Sequence, residues 1–301
     1  MIEHHFPDFY RLISELPDNR NRPRYKVKEL IVSGLLMFLF KQGSRNQADN
    51  KAKNLDYQDN IKRFFKVRVA DMDTVDRYLR FLPPEELEQL KHKMLQHLLR
   101  AKVFYKHRLL DRYYMLSIDG TGLQSYDYEP YPGCSFKTLK NGKKIWTTYV
   151  LEAKLVTRSG FSLSIATEWI ENPTDKDYNK QDSEYKAFMR LAKKIKKLFP
   201  QMSIVLLLDG LYPKEPVFNL CRNYNWKFII TLKDGSLKTI QEQLSDKKLE
   251  KNYKKEQIIE ADTTHWKINN YTIFEEIEFR GQNFWVLENI YQTEHKKSRE
   301  K

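Results

Sequence analysis

Two aspartates each close an apolar run and are each followed by glycine, in Met115-Leu-Ser-Ile-Asp119-Gly120-Thr121-Gly122 and in Ile204-Val-Leu-Leu-Leu-Asp209-Gly210. A strand buried in a sheet has no place for a carboxylate at its middle. An Asp at its carboxyl end, with Gly letting the backbone turn sharply, points to a site at the sheet edge. Two such carboxylates converging can hold a divalent cation, and their oxygens suit hard Mg2+ or Mn2+. Asp-Gly is also a common turn dipeptide, so either aspartate alone reads as readily as a turn. The pair, taken with the strand order below, carries the chemical reading.

Other chemistries find less support. The seven histidines show no HxxxH or mixed Cys/His ligand spacing, which argues against zinc. Gly120-Thr-Gly122 lacks the rest of a dinucleotide fingerprint, so no small-molecule cofactor is expected. Cys134 and Cys221 offer no disulfide framework, and no charged-then-apolar leader opens the chain. A protein of a reducing cytoplasm is therefore expected. The longest apolar run, Leu30 to Phe40, is too short for a membrane span and reads as a core helix.

The formal charge is +13, with basic clusters in Arg20 to Arg24, Lys193 to Lys197 and Lys247 to Lys255. Such a balance predicts a polyanionic partner, most simply double-stranded DNA, although part of the lysine content merely solvates helix faces.

The elements that must position the aspartates follow from the periodicity. With 301 residues, 41% of them hydrophobic, the chain can bury more than one core. Residues 1–110 read as a helical N-terminal domain, either DNA-contacting or simply packed on its neighbour. Its helices are expected at Lys26 to Lys41, at Thr74 to Phe81 capped by Asp73, and from Glu85-Glu86 with Leu87, Leu90, Met94, Leu98 and Leu99 as apolar positions. Residues 111–235 change to strand periods. Strands are expected at Tyr113 to Ile118, Trp146 to Thr157 and Phe161 to Trp169, then a helix carrying Phe188, Leu191 and Ile195. A strand at Ser203 to Leu208, a short helix near Pro213 to Asn223 and a strand at Lys227 to Leu232 complete the order. In it the first and fourth strands are expected to be parallel neighbours, which would bring Asp119 and Asp209 together. Residues 236–301 read as a β-rich insertion, Lys-rich at first, with strands at Ala261 to Asn270, Tyr271 to Phe279 and Asn283 to Ile290.

The fold class expected is thus mixed α+β and α/β: an RNase H-like core with a five-stranded mixed sheet flanked by helices, a helical N-terminal domain and a β-rich insertion. On Ser117-Ile-Asp119-Gly-Thr121, Asp209-Gly210-Leu-Tyr212, Lys180-Gln181-Asp182-Ser-Glu184 and Asp71-Met-Asp73-Thr74, the chain resembles the DDE transposases of bacterial insertion sequences. The resemblance implies metal-dependent cleavage and strand transfer at element ends, with Asp119 and Asp209 as catalytic, metal-holding residues of a two-ion site. It implies binding of double-stranded DNA and leaves a homodimer open. It also implies a third carboxylate, a Glu on a helix beyond the insertion, which the sequence up to Lys301 does not display; Glu294 and Glu300 fit that role poorly. The chain is accordingly expected to be either a truncated reading frame or a fragment, with its catalytic activity in question. Two other readings stay open: a DNA-binding remnant without catalysis, and an RNase H-like nuclease completing its site with Asp182 or Glu184.

Overall fold

The computed structural model describes residues 5–174, 180–233, 235–261 and 264–295. The chain forms two compact units, Met1–Ile204 and Val205–Lys301.

The first unit opens with helices α1 (Phe9–Ser14), α2 (Val27–Leu39), α3 (Arg45–Ala52), α4 (Leu55–Phe65), α5 (Met72–Phe81) and α6 (Pro84–Arg100). Their core is built from Ile13, Leu30, Leu36, Ile61, Val75 and Tyr78. Helix α3 buries no residue, so no apolar period announces it; its N-cap does, with Ser44 Oγ accepting the Gln47 amide. Asn54 caps α4 in the same way through the Tyr57 amide. The cap of α5 is Asp71 rather than Asp73: Asp71 Oδ1 accepts the Thr74 amide at 2.8 Å, and Asp73 lies inside the first turn. The stripe expected on α6 also divides. Leu90 and Met94 pack on the helical core, while His92 and Leu95 are the buried pair.

The sheet of this unit contains β1 (Tyr114–Tyr126), β2 (Phe136–Thr138), β3 (Lys144–Val156) and β4 (Ser162–Ile170). Strand β3 pairs antiparallel with β1, β2 and β4. Gly160, at φ +80°, supplies the left-handed residue of the β3–β4 hairpin. Helix α7 (Glu184–Leu198) follows, opened by Ser183 accepting the Lys186 amide, and buries Ala187, Phe188, Leu191, Ala192 and Ile195 against β3 and β4. Strand β4 exposes backbone groups that α6 and α7 close: Glu88 Oε1 accepts the Thr167 amide at 2.9 Å, and Lys194 Nζ donates to the Thr167 carbonyl at 2.6 Å. These contacts cover part of the edge that β4 would otherwise present to another chain.

The second unit carries β5 (Ile204–Leu208) from its second residue onward, α8 (Glu215–Tyr224) and β6 (Lys227–Ile230), with β5 and β6 parallel. The Lys-rich stretch forms helix α9 (Lys238–Leu249) and strand β7 (Lys254–Ala261). The two strands expected between Ala261 and Phe279 are one, β8 (His265–Phe279), paired to β7 and to β9 (Gln282–His295). No Gly or Pro interrupts that run, so nothing in it forces a turn at Asn270. Helix α9 lays Ile240 and Leu244 on Phe274 and Ile277 of β8. Phe218 of α8 meets Phe228, Phe279 and Phe284 at centroid distances of 5.4, 6.0 and 5.0 Å, which fastens the β-rich segment to β6.

The fold class is the one expected: mixed α and β, with both antiparallel and parallel pairing, flanking helices, a helical N-terminal part and an antiparallel β-rich segment. The succession is four strands, helix, strand, helix and strand; the short β2, which pairs with the start of β3, is one strand more than the expected five-stranded order. Among the described residues no helix is long and apolar enough to cross a membrane.

Two outcomes are expected. Asp71→Ala should cost about 1 kcal/mol in urea unfolding, the usual value of a lost N-cap, and Asp73→Ala less than half of that. Burial raises the Glu88 carboxyl, but the Thr167 amide and Lys194 outweigh it and leave the pKa below the ordinary 4.5. A depressed folded pKa stabilises above the unfolded value and loses that contribution as pH falls through the folded one. Glu88→Gln should therefore lower the urea midpoint at neutral pH, and the difference should begin to shrink as pH falls through the ordinary 4.5 and vanish only below the lower folded pKa.

Candidate functional site

Asp119 does not end its strand. β1 continues eight residues beyond Ile118, and neither Gly120 nor Gly122 has a positive φ, so no sharp turn follows the aspartate. What changes at Asp119 is burial. Tyr114, Leu116 and Ile118 are buried, whereas Asp119 and most residues after it are exposed. Past this point β3 stays paired on its other side, with β4 as far as Tyr149 and with β2 at Trp146, so the strands run on as part of the sheet while the β1 side chains come out into solvent. Asp119 therefore stands where the buried part of the strand ends, which keeps its carboxylate in solvent although the strand goes on.

Directly across from Asp119 in the antiparallel register is Glu152 of β3. Residues so opposed project from the same face, and like charges there repel. Lys154 offsets part of the charge, its Nζ lying 3.2 Å from Glu152 Oε2. The sequence alone does not flag Glu152, because its relation to Asp119 exists only through the strand register.

Gly120 serves packing. A Cβ on it would stand 2.7 Å from Glu184 Oε2 and 3.1 Å from its Cδ, so the absent side chain makes room for the first residue of α7. Successive strand residues point to opposite faces, and the register shift in β1 begins only after Gly122. Glu184 thus lies over the face opposite to the one carrying the Asp119 side chain. Asp182 is committed elsewhere: its side chain is only 6% exposed and takes two hydrogen bonds from Arg190, at 3.2 and 2.6 Å. Arg190 also donates to Glu168 at 2.7 Å and to the Trp169 carbonyl. The Asp182 hydrogen bond, ahead of the cost of burial, raises the Arg190 pKa. This cluster ties the segment before α7 to β4. Glu294 sits on β9 opposite Trp266, and Glu300 lies outside the described residues.

In the second unit Asp209 follows the last residue of β5, as expected, and is exposed. Its Oδ1 accepts the Leu211 amide at 2.8 Å, a local turn that fixes the carboxylate while leaving its remaining lone pairs outward. Tyr212 anchors the loop from inside, fully buried. The Lys233 stem crosses Gly210: a Cβ there would meet its Cε at 2.5 Å and its Cγ at 2.6 Å. The Lys233 stem is thereby held against the residue that follows the second aspartate. Its distance in sequence hid it, and only the return of the chain after β6 brings it there.

As donors, the oxygens of Asp119 and Asp209 fit a hard divalent cation. Among the described residues no group of three or more His, Cys, Asp or Glu stands close enough together to hold a metal.

No protein-family model matches the chain, and no curated protein does. Among solved structures it is similar to the piggyBac transposase synaptic complex with hairpin DNA, at 11% identity over 89% of this chain and 55% of that one, with a TM-score of 0.35. It is also similar to the Mos1 mariner paired end complex with Mn, at 13% identity over 81% of this chain and 78% of that one, with a TM-score of 0.22. The chain thus spans about half the length of the piggyBac chain that it matches.

The opposed acids yield a stability prediction. Asp119→Asn removes a like-charge pair, so it should stabilise the fold by roughly 0.2–1 kcal/mol in urea unfolding, and Glu152→Gln should not add to it in the double variant.

Proposed function

We infer that this chain is a DDE transposase-family protein, which cleaves and joins DNA phosphodiesters at the ends of an insertion sequence with Asp119 and Asp209 as its metal-holding carboxylates. The observation that carries the reading is the placement of these two acids in an RNase H-like element succession. One lies where β1 leaves the core, the other immediately beyond β5, and both are exposed. The charge of +13 supports a DNA partner.

The reaction has water attack a phosphodiester in line, freeing a 3′-OH, and that 3′-OH then attack target DNA. Bound Mg2+ or Mn2+ would supply activation of the oxygen nucleophile and neutralisation of charge on the leaving oxygen. The chain's own part is to bind and to orient. Asp119 and Asp209 supply hard oxygen ligands, the Leu211 amide fixes the second of them, and Lys233 offers a cation for a phosphate oxygen near Gly210. The basic surfaces hold the duplex through its phosphates, without reading sequence. A homodimer accords with the joining of two element ends.

The test is nicking of supercoiled DNA by the purified chain with Mg2+ or Mn2+. Asp119→Asn and Asp209→Asn should each lower the rate by more than about 100-fold, the upper range for losing even an indirect partner of a metal. Glu184→Gln should stay within a few-fold of the parent, because Glu184 lies over the other face. Wild-type nicking by both aspartate variants would overturn the reading. Duplex binding should also weaken steeply as salt rises, and salt-independent binding would contradict phosphate contact.

A further inference from the structure

We propose that a groove beside α5, in the helical part of the first unit, binds an unpaired nucleotide of a DNA strand; this deepens the DNA reading above and rests on it. The groove measures about 830 Å3 and runs between the Pro17–Arg24 segment and the α5 face that carries Thr74, Arg77, Tyr78 and Phe81. Four arginines and one aspartate, Asp71, contribute to its lining. Asp71 already accepts the Thr74 amide as the helix cap. The groove is therefore cationic, with walls that are largely apolar.

Its floor is pre-organised. Arg20 lies with its guanidinium carbon 5.3 Å from the centre of the Tyr78 ring, held by Asp18 at 2.7 and 2.8 Å and by the Tyr25 carbonyl at 2.8 Å. Tyr78 in turn donates to the Pro17 carbonyl at 3.0 Å, and burial pushes its phenol up to about 12, so it remains a donor. The rim is open. Arg22 and Arg24 are exposed, and neither forms an ion pair among the described residues. Arg77 is exposed and braced by the Thr74 hydroxyl at 3.2 Å. Phe81, at the end of α5, is 81% exposed.

Phe81 stands beside three open guanidiniums on the lining of one groove, an arrangement that suits a ligand with both an apolar face and anionic groups. A nucleotide has both: its base stacks on an aromatic ring, and its phosphate accepts paired hydrogen bonds from Arg. The volume is in the range of small-ligand sites. A fully paired duplex keeps its bases within the stack and offers only phosphates to the rim. The concave apolar wall is used only if one base leaves the stack.

Fluorescence anisotropy on the full chain tests this with a fully paired duplex and the same duplex bearing one unpaired nucleotide. The parent chain should bind the second about tenfold more tightly, as a stacked base contributes about 1–3 kcal/mol. Phe81→Ala should erase that preference and leave paired-duplex affinity within about twofold, while Phe81→Tyr keeps the preference. Since Phe81 is exposed, neither change disturbs the core. The double variant Arg22→Gln, Arg24→Gln should weaken both duplexes and flatten the salt dependence. Equal binding of the two duplexes by the parent, or a preference unmoved by Phe81→Ala, overturns the groove assignment and leaves the nuclease reading intact. Nicking that survives in the aspartate variants overturns the nuclease reading and leaves the groove. Displacement of both duplexes by an acidic aromatic peptide at lower concentration than by unpaired DNA would assign the groove to a protein partner and also overturn the proposal.

Discussion

The sheet of the first unit depends on α7 burying one face against β3 and β4. Phe188, Leu191 and Ile195 on that face are wholly buried, each contributing roughly 1.5–3 kcal/mol of apolar transfer. The same helix presents Arg190 and Lys194 one turn apart toward β4, where Glu168 meets both, at 2.7 and 3.1 Å. Apolar burial sets the helix on the sheet, and the ion pairs fix its position along the strands. That position in turn brings Glu184 over Gly120, so the packing reaches the residue next to Asp119.

The edge of this sheet is where the helical leader and the core become one unit. Thr167 of β4 finds its amide partner on α6 and its carbonyl partner on α7, and Lys91 adds a 2.9 Å contact to the Ser164 hydroxyl. Burial lowers the pKa of Lys91, a cost accepted for that contact. His92, next in sequence, is buried with its Nε2 lacking a hydrogen-bond partner and its pKa lowered chiefly by burial, with Lys91 and Lys194 adding to that against Glu88. Polar groups concentrated at one seam give a specific register, because an unpaired charge there would be costly.

Stability and the proposed chemistry pull in opposite directions at Asp119. An acid facing Glu152 across a strand pair is unfavourable, and a residue of no charge would serve the pairing better. Strand β1 nonetheless carries the acid at its first exposed position after Ile118, where solvent tempers the repulsion. A residue that opposes local stability is the kind expected at a site under functional constraint. Phe81 of the α5 groove presents the same conflict, as an exposed apolar ring rather than an exposed charge.

The sequence by itself determined the order of the main elements, the face of α7 and the two aspartates, because apolar period and turn chemistry are local properties. Several helices escaped it: α3 buries nothing and only a capping serine marks it, while α1, α4 and α9 bury just one or two apolar residues each, too few to set a period. The end of β1 escaped it as well, since Asp-Gly encodes a turn as readily as a strand leaving the core, and the pairing with β3 decides between them. β8 runs as one strand where two were expected, because a continuous β-prone run holds no signal of where its partners lie. Glu152 beside Asp119, Lys233 over Gly210, and the separation of Asp119 from Glu184 by the pleat of one strand were decided only by the tertiary structure. Each depends on strand register or chain return, and both are set by the burial of distant side chains rather than by neighbours in sequence.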